Sequence, residues 1–311
     1  MTLQQLIALL TVQETGSIRA AARSLFQTQA AVTKTIKNLE NDIGATLIIR
    51  EARGVHLTED GETLALHARH ALRELELARD QIRMRQGDQQ SAISLAVTPA
   101  VMYTVLPECI EWFRTRFPFV KLTIEDGILT HALPLLRGGL TDFALVVGMP
   151  TTRAIEKELY IETLGEIEMC FAVRDRHPLL NEPQKASDPS IMREYEWIIT
   201  ADKIKRANER FEKLMHITPP ERVLLCTPQV AMSLVENSDA ITVMPKALVQ
   251  TPNSKLKPLP SEIPIRNQTL QLIMPHDRPI TPAMEYLIHI LKQQCQSLCI
   301  TDGAMPIQPT K

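Results

Sequence analysis

The first sixty residues place apolar side chains at helical spacing, in short runs that turn-forming residues interrupt. The run from Leu3 to Leu10 repeats every three or four residues and predicts an amphipathic helix that ends at Gly16. Ser17 and Thr28 each stand where they can N-cap one of two further short helices. This part of the chain therefore predicts three helices joined by tight turns.

The second and third predicted helices have different surfaces. Alanines at positions 20 to 22 allow close packing of the second helix, and Leu25 fills the crossing between the two. The third helix turns a polar and cationic face outward: Gln29, Ala30, Thr33, Lys34 and Lys37. Such a pair predicts a helix-turn-helix, because glutamine can bond adenine, threonine can contact thymine, and lysine neutralises phosphate.

An alternating run, ATLIIREARGVHLT, follows Gly44 and surrounds a basic tip. It predicts a two-stranded wing whose residue Arg53 can enter a minor groove, where negative potential is concentrated. Residues 1–58 contain six basic and four acidic side chains, a net charge of +2, whereas the whole chain carries −2. Attraction for nucleic acid is therefore confined to this segment.

A single long helix is predicted from Glu59 to about Gly87. Its apolar seam alternates in steps of three and four residues: Gly61, Leu64, Ala68, Ala71, Leu75, Ala78 and Ile82. This heptad pattern fits packing on the helix's own domain or pairing with a second copy of the chain. The thin, alanine-rich seam favours close pairing in a dimer.

Strands and helices alternate from about residue 91 onward, which predicts an α/β fold. AISLAV, VKLTIE and DFALVV predict buried strands of a parallel, doubly wound sheet, with a helix over Pro99–Arg116 after the first. A second set of elements runs from EMCFAV to AITVM, and TLQLIM with the helix Pro282–Cys295 returns to the first set. Two α/β subdomains joined by crossing strands are therefore expected.

Three threonine–proline pairs stand where predicted helices begin, at Thr98, Thr227 and Thr281. Threonine is a favourable N-cap. Proline is tolerated at the first helical position, because the N–H that it lacks would have no intrahelical partner there. The first two pairs directly follow strands, and α/β folds bind ligands at such helix N-termini. Structural capping explains any one pair, but two matching turns in two subdomains favour a ligand cleft between them.

These elements predict a division of the chain into four parts. They are a winged helix-turn-helix domain over 1–58, a dimerisation linker helix over 59–88, an effector-binding domain over 91–300, and a disordered tail over 301–311. Within the effector-binding domain, subdomain I takes 91–163 and 266–300, and subdomain II takes 164–265.

Motifs of enzyme chemistry are absent from the sequence, including G-x-S-x-G, H-E-x-x-H, the P-loop and G-x-G-x-x-G. No catalytic residue, metal site or cofactor is therefore expected. Of the five cysteines, Cys109, Cys170 and Cys226 are expected to be buried thiols in a reducing compartment. Cys295 and Cys299 stand four residues apart on a helix, but without a histidine or third cysteine nearby a metal or redox pair is disfavoured. The start lacks a signal-peptide pattern and no apolar run is long enough to span a bilayer, so a cytoplasmic protein without a membrane partner is expected.

The chain resembles the LysR-type transcriptional regulators over its whole length, most clearly in its first ninety residues. The family's helix-turn-helix and wing pattern is met by Gly16-Ser17, Ala21-Ala22, Leu25, Gln29, Ala31, Thr33, Ile36, Leu39-Glu40, Ile43-Gly44, Leu47, Arg50, Leu57-Thr58 and Gly61. The sequence departs from the pattern at Ala30, where the family often has proline, at Thr33-Lys34 for Ser-Arg, and at Ile48 for phenylalanine. Lysine lacks the bidentate fork of arginine, which affects base preference at position 34.

The resemblance implies a winged DNA-binding domain, a dimerising linker helix, and a two-lobed domain similar to periplasmic solute-binding proteins. Its partners are then double-stranded promoter DNA and further copies of the chain, in a dimer or a dimer of dimers. Family DNA contacts fall on Gln29, Thr33, Lys34 and Arg53 in this sequence.

The resemblance also implies a small-molecule effector held at the strand-to-helix turns of the second half. The family's effector contacts fall on Thr98, Pro99, Ala100, Val101, Ile128, Val147, Gly148, Thr200, Ala201, Thr227 and Met244. The stretches GSIRAAA, LTDFAL and HDRPITPA are most similar to the branch that senses aromatic sulfonates or aminobenzoyl compounds, which implies an aromatic acid or sulfonate.

A two-lobed solute-binding or carrier protein without a DNA role is the alternative hypothesis. This hypothesis accounts for the second half of the chain but assigns no role to the first ninety residues. Binding to a duplex promoter fragment separates a regulator from a carrier, and turnover would identify an enzyme.

Overall fold

The computed structural model describes residues 1–51, 54–85, 92–148, 153–201, 204–214, 217–252, 254–276 and 278–300 of the 311-residue chain. Arg53 and the predicted tail over 301–311 lie outside the described residues. The chain divides into two units, of which the first takes residues 1–91 and 134–141 and the second takes the remainder.

Four helices and a two-stranded wing form most of the first unit: α1 Leu3–Thr15, α2 Ile18–Ser24, α3 Gln29–Ile43, β1 Ile48–Glu51, β2 Gly54–Leu57 and α4 Glu59–Arg85. The side chains of Thr2, Ser17 and Thr28 each accept a hydrogen bond at the start of a helix, from N–H groups 3.2–3.4 Å away. Gly16 and Gly44 follow α1 and α3 in the left-handed conformation, with φ of 61° and 78°. The predicted boundaries are therefore set by local capping.

The apolar faces of α1, α2 and α3 meet in one core with the base of the wing. Its fully buried members include Leu9, Val12, Ala21, Val32, Ile36, Leu39 and Leu47. Glu40 joins α3 to the wing, because its Oε1 accepts hydrogen bonds from the N–H groups of Leu47 at 2.9 Å and Ile48 at 3.3 Å. The wing also bonds the end of α1, where Val55 donates to the Gly16 carbonyl at 2.9 Å.

The first half of α4 packs on its own domain. Gly61 lies against the wing so closely that a Cβ atom there would stand 2.1 Å from the Leu47 carbonyl oxygen. Ala65 and Ala68 are buried in the same core. Further along, the seam residues reach solvent: Ala71, Leu75, Ala78 and Ile82 are all exposed. The interpretation of the seam as packing on its own domain therefore holds for the first half of α4, and pairing with a second copy stays a prediction for the exposed half.

From residue 92 onward the chain alternates strands and helices: β3 Ala92–Val97, α5 Pro99–Met102, α6 Leu106–Arg116, β4 Lys121–Asp126, α7 Leu129–Arg137, β5 Phe143–Val147, α8 Arg153–Glu158, β6 Leu159–Ile167, β7 Met169–Arg174, α9 Pro183–Ala186, α10 Pro189–Met192, β8 Trp197–Thr200, α11 Ile204–Leu214, β9 Val223–Cys226, α12 Pro228–Glu236, β10 Thr242–Pro245, α13 Lys246–Val249, β11 Leu256–Pro258, β12 Gln268–Pro275 and α14 Pro282–Cys295. Two 3₁₀ turns, Pro178–Asn181 and Gln296–Leu298, complete the described elements.

The first lobe of the second unit is a five-stranded sheet in the order β4-β3-β5-β12-β6. β3 is parallel to β4 and β5, as predicted, whereas β12 is antiparallel to both β5 and β6. Helices α6 and α14 cover a core that includes Leu95, Phe113, Phe143 and Leu287. A buried ion pair joins Arg278 to Asp142, and the other oxygen of that carboxylate accepts the Ser94 N–H at 2.7 Å.

The second lobe contains a three-stranded sheet, β10-β7-β11, and the parallel pair β8-β9. A bridge between Trp197 and Ile241 links the two. The Trp197 ring lies edge-on to Phe171 and Phe211, and its N–H donates to the Met192 carbonyl at 2.9 Å. The chain enters this lobe after β6 and leaves it before β12, so two segments cross between the lobes, as predicted.

His177 is a buried member of the second lobe. Its Nδ1 accepts the N–H of Leu179 at 3.2 Å, and its Nε2 lies 3.1 Å from the carbonyl oxygen of Asp239. Burial lowers the pKa of His177 below the ordinary value for histidine. The imidazole is therefore held in its neutral form by the surrounding structure.

Two element boundaries differ from the sequence predictions. The helix predicted over Pro99–Arg116 is interrupted at residues 103–105. Pro107 has no N–H to continue the helical ladder, so the helix restarts with this proline in its first turn. Strand β6 pairs with β12 as far as Ile167, four residues beyond the predicted end of subdomain I at residue 163. The division of the chain into functional domains stays a prediction.

Candidate DNA-binding and effector sites

The polar residues predicted on the third helix come together on one surface. Gln29, Ala30, Thr33, Lys34 and Lys37 line a single shallow, open hollow on α3. All of them are exposed except Thr33, which is half-buried. The opposite face of the helix is fixed in the core, so this surface is presented by a rigid support.

The two lysines of this surface are available to an anion. Among the described residues, no carboxylate lies within ion-pair distance of Lys34 or Lys37. The nearest acid in sequence, Glu40, is engaged with the wing backbone. Thr28 caps the helix, and the first N–H groups of any helix lack intrahelical partners and favour negative charge.

In sequence, the fifth predicted DNA-contacting residue, Arg53, falls between the two strands of the wing. β1 and β2 pair antiparallel from Ile48 opposite Leu57 to Glu51 opposite Gly54. Arg53 lies between the two strands in sequence and outside the described residues. Gly54 is fixed against the end of α1, since a Cβ atom there would stand 2.9 Å from the Gly16 carbonyl oxygen.

The predicted effector residues lie at or beside the carboxyl ends of strands in both lobes. In the first lobe, Thr98, Pro99, Ala100 and Val101 follow β3, Ile128 follows β4, and Val147 and Gly148 close β5. In the second lobe, Thr200 and Ala201 close β8, Thr227 follows β9, and Met244 belongs to β10. The four residues after β3 and Met244 are buried, Thr227 is exposed, and the others are half-buried.

A hydrogen bond joins these two strand edges across the lobes. Gln229, in the first turn of α12, donates from Nε2 to Oδ2 of Asp126 at 3.0 Å. Asp126 is the last residue of β4, and its other oxygen accepts the N–H of Ile128 at 3.0 Å. Sequence reasoning missed both partners, although each lies within two residues of a predicted turn. The carboxyl ends of the strands in the two lobes therefore face each other within hydrogen-bonding distance.

The threonine–proline turns begin helices, but only one threonine side chain acts as a cap. Thr281 accepts the Met284 N–H at 3.2 Å, whereas Thr98 and Thr227 make no side-chain capping bond. The expectation of capping hydroxyls at Thr98 and Thr227 is therefore wrong. The Thr98 N–H instead donates to the Leu145 carbonyl at 2.8 Å, which fixes this turn to the middle of β5.

Gly127 locks the ends of β3 and β4 together. Its N–H donates to the Val97 carbonyl at 2.8 Å. A Cβ atom at Gly127 would stand 2.3 Å from the carbonyl carbon of Val97 and 2.4 Å from the Thr98 nitrogen. The turn that carries Thr98 and the turn that carries Ile128 thus form one packed unit.

Three cysteines of the second unit are protonated thiols at neutral pH. Burial raises the pKa of Cys170, which pairs with Met244 across β7 and β10, to about 12. It raises the pKa of Cys109 to about 12 and that of Cys295 further still. In the described part of the chain, no three histidine, cysteine or acidic side chains cluster as metal ligands would.

A helix-turn-helix unit together with a two-lobed α/β unit defines a DNA-binding regulator with a ligand-binding domain. Residues 3–62 match the family described as bacterial regulatory helix-turn-helix proteins of the lysR family. Residues 86–296 match the LysR substrate binding domain. The chain therefore belongs to the LysR family of transcriptional regulators, and it is a regulator rather than an enzyme.

Relatives of this chain are named as transcriptional regulators. A probable nitrogen assimilation transcriptional activator of Synechococcus elongatus is 30% identical over 182 residues, which is 58% of each chain and less than two thirds of that relative. The regulator GbpR of Azospirillum brasilense is 24% identical over 93% of this chain and 85% of its own length. TdcA of Escherichia coli (strain K12) is 25% identical over 78% of this chain and 76% of its own.

Solved structures of full-length regulators share the fold. ArgP from Mycobacterium tuberculosis aligns with a TM-score of 0.67 at 20% identity, over 95% of this chain and 97% of its own. Full-length CbnR in complex with its target DNA aligns with a TM-score of 0.63 at 17% identity, over 94% and 99%. In the described residues of this chain, no helix combines the length and apolar character needed to cross a membrane.

Proposed function

We propose that this regulator binds promoter DNA through α3 and the wing, and that it does so as a dimer or a dimer of dimers. The contacting residues are Gln29, Thr33, Lys34, Lys37 and Arg53. The observation that carries this proposal is the single hollow on α3, where polar side chains meet two lysines that have no carboxylate partner among the described residues. Such a surface suits the edge of a base pair flanked by phosphates.

Few cations per domain mean that one domain alone binds weakly. Each phosphate contact adds affinity that falls as salt rises, and two linked domains raise the effective affinity without new contacts. The exposed second half of α4 supplies the pairing surface for this doubling. The same target implies a site of action in the cytoplasm.

The effector site lies between the strand edges of the two lobes. The first lobe contributes the turn after β3 (Thr98 to Val101), Ile128, Val147 and Gly148. The second lobe contributes Thr200, Ala201, Thr227 and Met244. The effector is a small aromatic acid or sulfonate. An anionic group would meet the N-terminus of α12, while an amino group on the ring would meet the Asp126 carboxylate, as in an aminobenzoyl compound.

Effector binding would alter the angle between the lobes. The bond between Gln229 and Asp126 spans the two strand edges, so a ligand placed between them competes with it or adds to it. A ligand shifts such an equilibrium only by its different affinity for the two lobe arrangements. The change in α4 pairing that follows would alter the spacing of the two DNA-reading helices.

The DNA role is tested with duplexes selected from a random-sequence library by the full-length protein. A gel-shift titration should show specific binding that weakens steeply with salt, and Gln29→Ala should weaken it by about 1–3 kcal/mol. Asn41→Ala, exposed on the last turn of α3, is the matched control and should bind normally. Failure to select any duplex, even at low ionic strength, would contradict the proposed function and favour the carrier hypothesis.

The effector site is tested with the full-length protein and three probes: 4-aminobenzoate, benzoate and benzenesulfonate. A ligand that binds the folded state raises the melting temperature by mass action. Thr98→Val should abolish this rise while leaving DNA binding intact, whereas Thr123→Val, an exposed position in β4, should leave both unchanged. A full melting-temperature response in Thr98→Val would remove Thr98 from the site.

A further inference from the structure

Phe26 occupies an unfavourable position in the turn between α2 and α3. Its side chain is 98% exposed, and its φ of 54° makes it the only non-glycine residue with positive φ in the described chain. The left-handed conformation crowds Cβ against the backbone, and a bulky aromatic residue rarely adopts it. An exposed ring also offers none of the stabilisation that burial would provide.

The backbone of this turn requires the left-handed conformation but does not require phenylalanine. Gln27 N–H donates to the Ala22 carbonyl at 2.9 Å, and Phe26 N–H donates to the Arg23 carbonyl at 3.1 Å. These two bonds form a Schellman motif, in which glycine is the preferred residue. In the same domain, the left-handed residue that follows α1 and α3 is glycine, Gly16 and Gly44. The phenylalanine is therefore not explained by the needs of the fold.

Nothing within the described chain uses the ring. No aromatic or cation–π contact of Phe26 is formed with any described residue. The residues that follow it up to the recognition surface, from Gln27 to Ala30, are all exposed. A run of exposed residues thus connects Phe26 to the α3 hollow along the chain.

We infer that Phe26 is a DNA-contacting residue that extends the α3 reading surface by an apolar contact. Its ring would pack on an apolar edge of the duplex, either a thymine methyl group or a deoxyribose, beside the bases that α3 meets. This inference rests on the proposed function of α3. It adds a contact that neither the hydrogen-bonding nor the cationic side chains of the helix provide.

The surroundings of Phe26 favour a duplex over a second protein chain. Protein interfaces have contiguous apolar cores, whereas the exposed residues beside Phe26 in sequence are polar or charged: Arg23, Ser24, Gln27, Thr28 and Gln29. A duplex offers the matching arrangement, with phosphates for the cation and isolated methyl groups for the ring. A strained and exposed phenylalanine lowers the stability of the free protein, and its contact with the duplex would offset this loss in the complex.

The test compares Phe26→Gly, Phe26→Asn and Phe26→Tyr in the full-length protein on a duplex selected by the wild type. Glycine and asparagine fit the left-handed position, so both variants should melt at or above the wild-type temperature. Both should nevertheless bind the duplex about tenfold more weakly, while Phe26→Tyr should keep most of the affinity. Leu3→Ala, which removes another exposed apolar side chain from the same domain, should bind as the wild type does.

The outcomes separate this inference from the proposed function. If Phe26→Gly binds the selected duplex with the same affinity as the wild type, the Phe26 contact is overturned and the proposed function of α3 is not. A lower oligomer mass of Phe26→Gly in sedimentation, with unchanged affinity for the duplex, would overturn it in favour of a contact between chains. Replacing thymine by deoxyuridine in the selected duplex distinguishes the two apolar edges: a weaker wild-type complex identifies the methyl group, and an unchanged one identifies the deoxyribose.

Discussion

Replacing Leu75 and Ile82 of α4 by serine tests whether the exposed half of the seam pairs two chains. In the single chain these side chains are 54% and 57% exposed, although they continue the same seam in which Gly61 and Ala68 are buried. Apolar side chains at heptad spacing, left in solvent on a long helix, are typical of a coiled-coil surface. The double variant removes the two largest exposed members of that surface.

The size of the effect follows from these exposures. Fully burying a leucine or isoleucine contributes about 1.5–3 kcal/mol, and about half of each side chain is still exposed. Each therefore gains about 0.8–1.5 kcal/mol on pairing, and a symmetric dimer contains four of them. The variant should weaken the dimer by about 3–6 kcal/mol, which is a factor of about 10²–10⁴ in Kd.

Sedimentation equilibrium over a range of protein concentrations measures this directly. The wild type should remain associated where the double variant is monomeric, and the variant should also lose affinity for DNA. Leu140→Ser is the matched control, because Leu140 is also 54% exposed but lies outside α4. An unchanged mass of the double variant at low micromolar concentration would refute pairing through this half of α4.

Three further predictions concern the second unit. Asp142→Ala removes the buried partner of Arg278 and should lower the free energy of unfolding by about 3–5 kcal/mol in urea titrations; a loss below about 1 kcal/mol would contradict a stabilising pair. The pKa of His177 is lowered on folding, so the unfolded chain binds the proton at higher pH than the folded chain does. The contribution of His177 to stability should be full above pH 6.5 and fall as the pH drops below it, and His177→Asn should flatten the profile of melting temperature against pH. Gly127→Ala should displace the Thr98 turn and weaken effector binding in the melting-temperature assay, with DNA affinity retained; normal effector binding would show that the turn tolerates the shift.

Local signals in the sequence predicted the helix-turn-helix well, because local chemistry determines it. Ser17 and Thr28 cap their helices as expected, and glycine ends α1 and α3 where the pattern stops. Phe26 was not predicted in a left-handed turn, because the chain has no glycine or asparagine there to signal one. Its conformation follows from the close approach of two helices rather than from its own preference.

The strand ends that carry the predicted effector residues show what the sequence alone could not predict. Strand ends were predicted from apolar runs, but the bond between Asp126 and Gln229 joins residues 103 positions apart and depends on how two lobes fold back on each other. The Thr98 hydroxyl was predicted as a cap because threonine before proline is typical of one. Tertiary contacts decide otherwise, since the Thr98 backbone is bonded to Leu145 in β5 and its side chain makes no capping hydrogen bond.

The division of the α4 seam constrains how a signal can reach the DNA-reading helix. Gly61 lies against the Leu47 carbonyl, and Ala65 and Ala68 are part of the core that holds α1 and α3. The winged domain therefore cannot swivel about the start of α4 without opening its own core, which would cost several kcal/mol. A change at the exposed half of α4 would then move the winged domain as a rigid body together with the helix. Regulation through this protein should consequently act on how two α4 helices pair, and so on the separation of their recognition surfaces, rather than on the conformation of α3 itself.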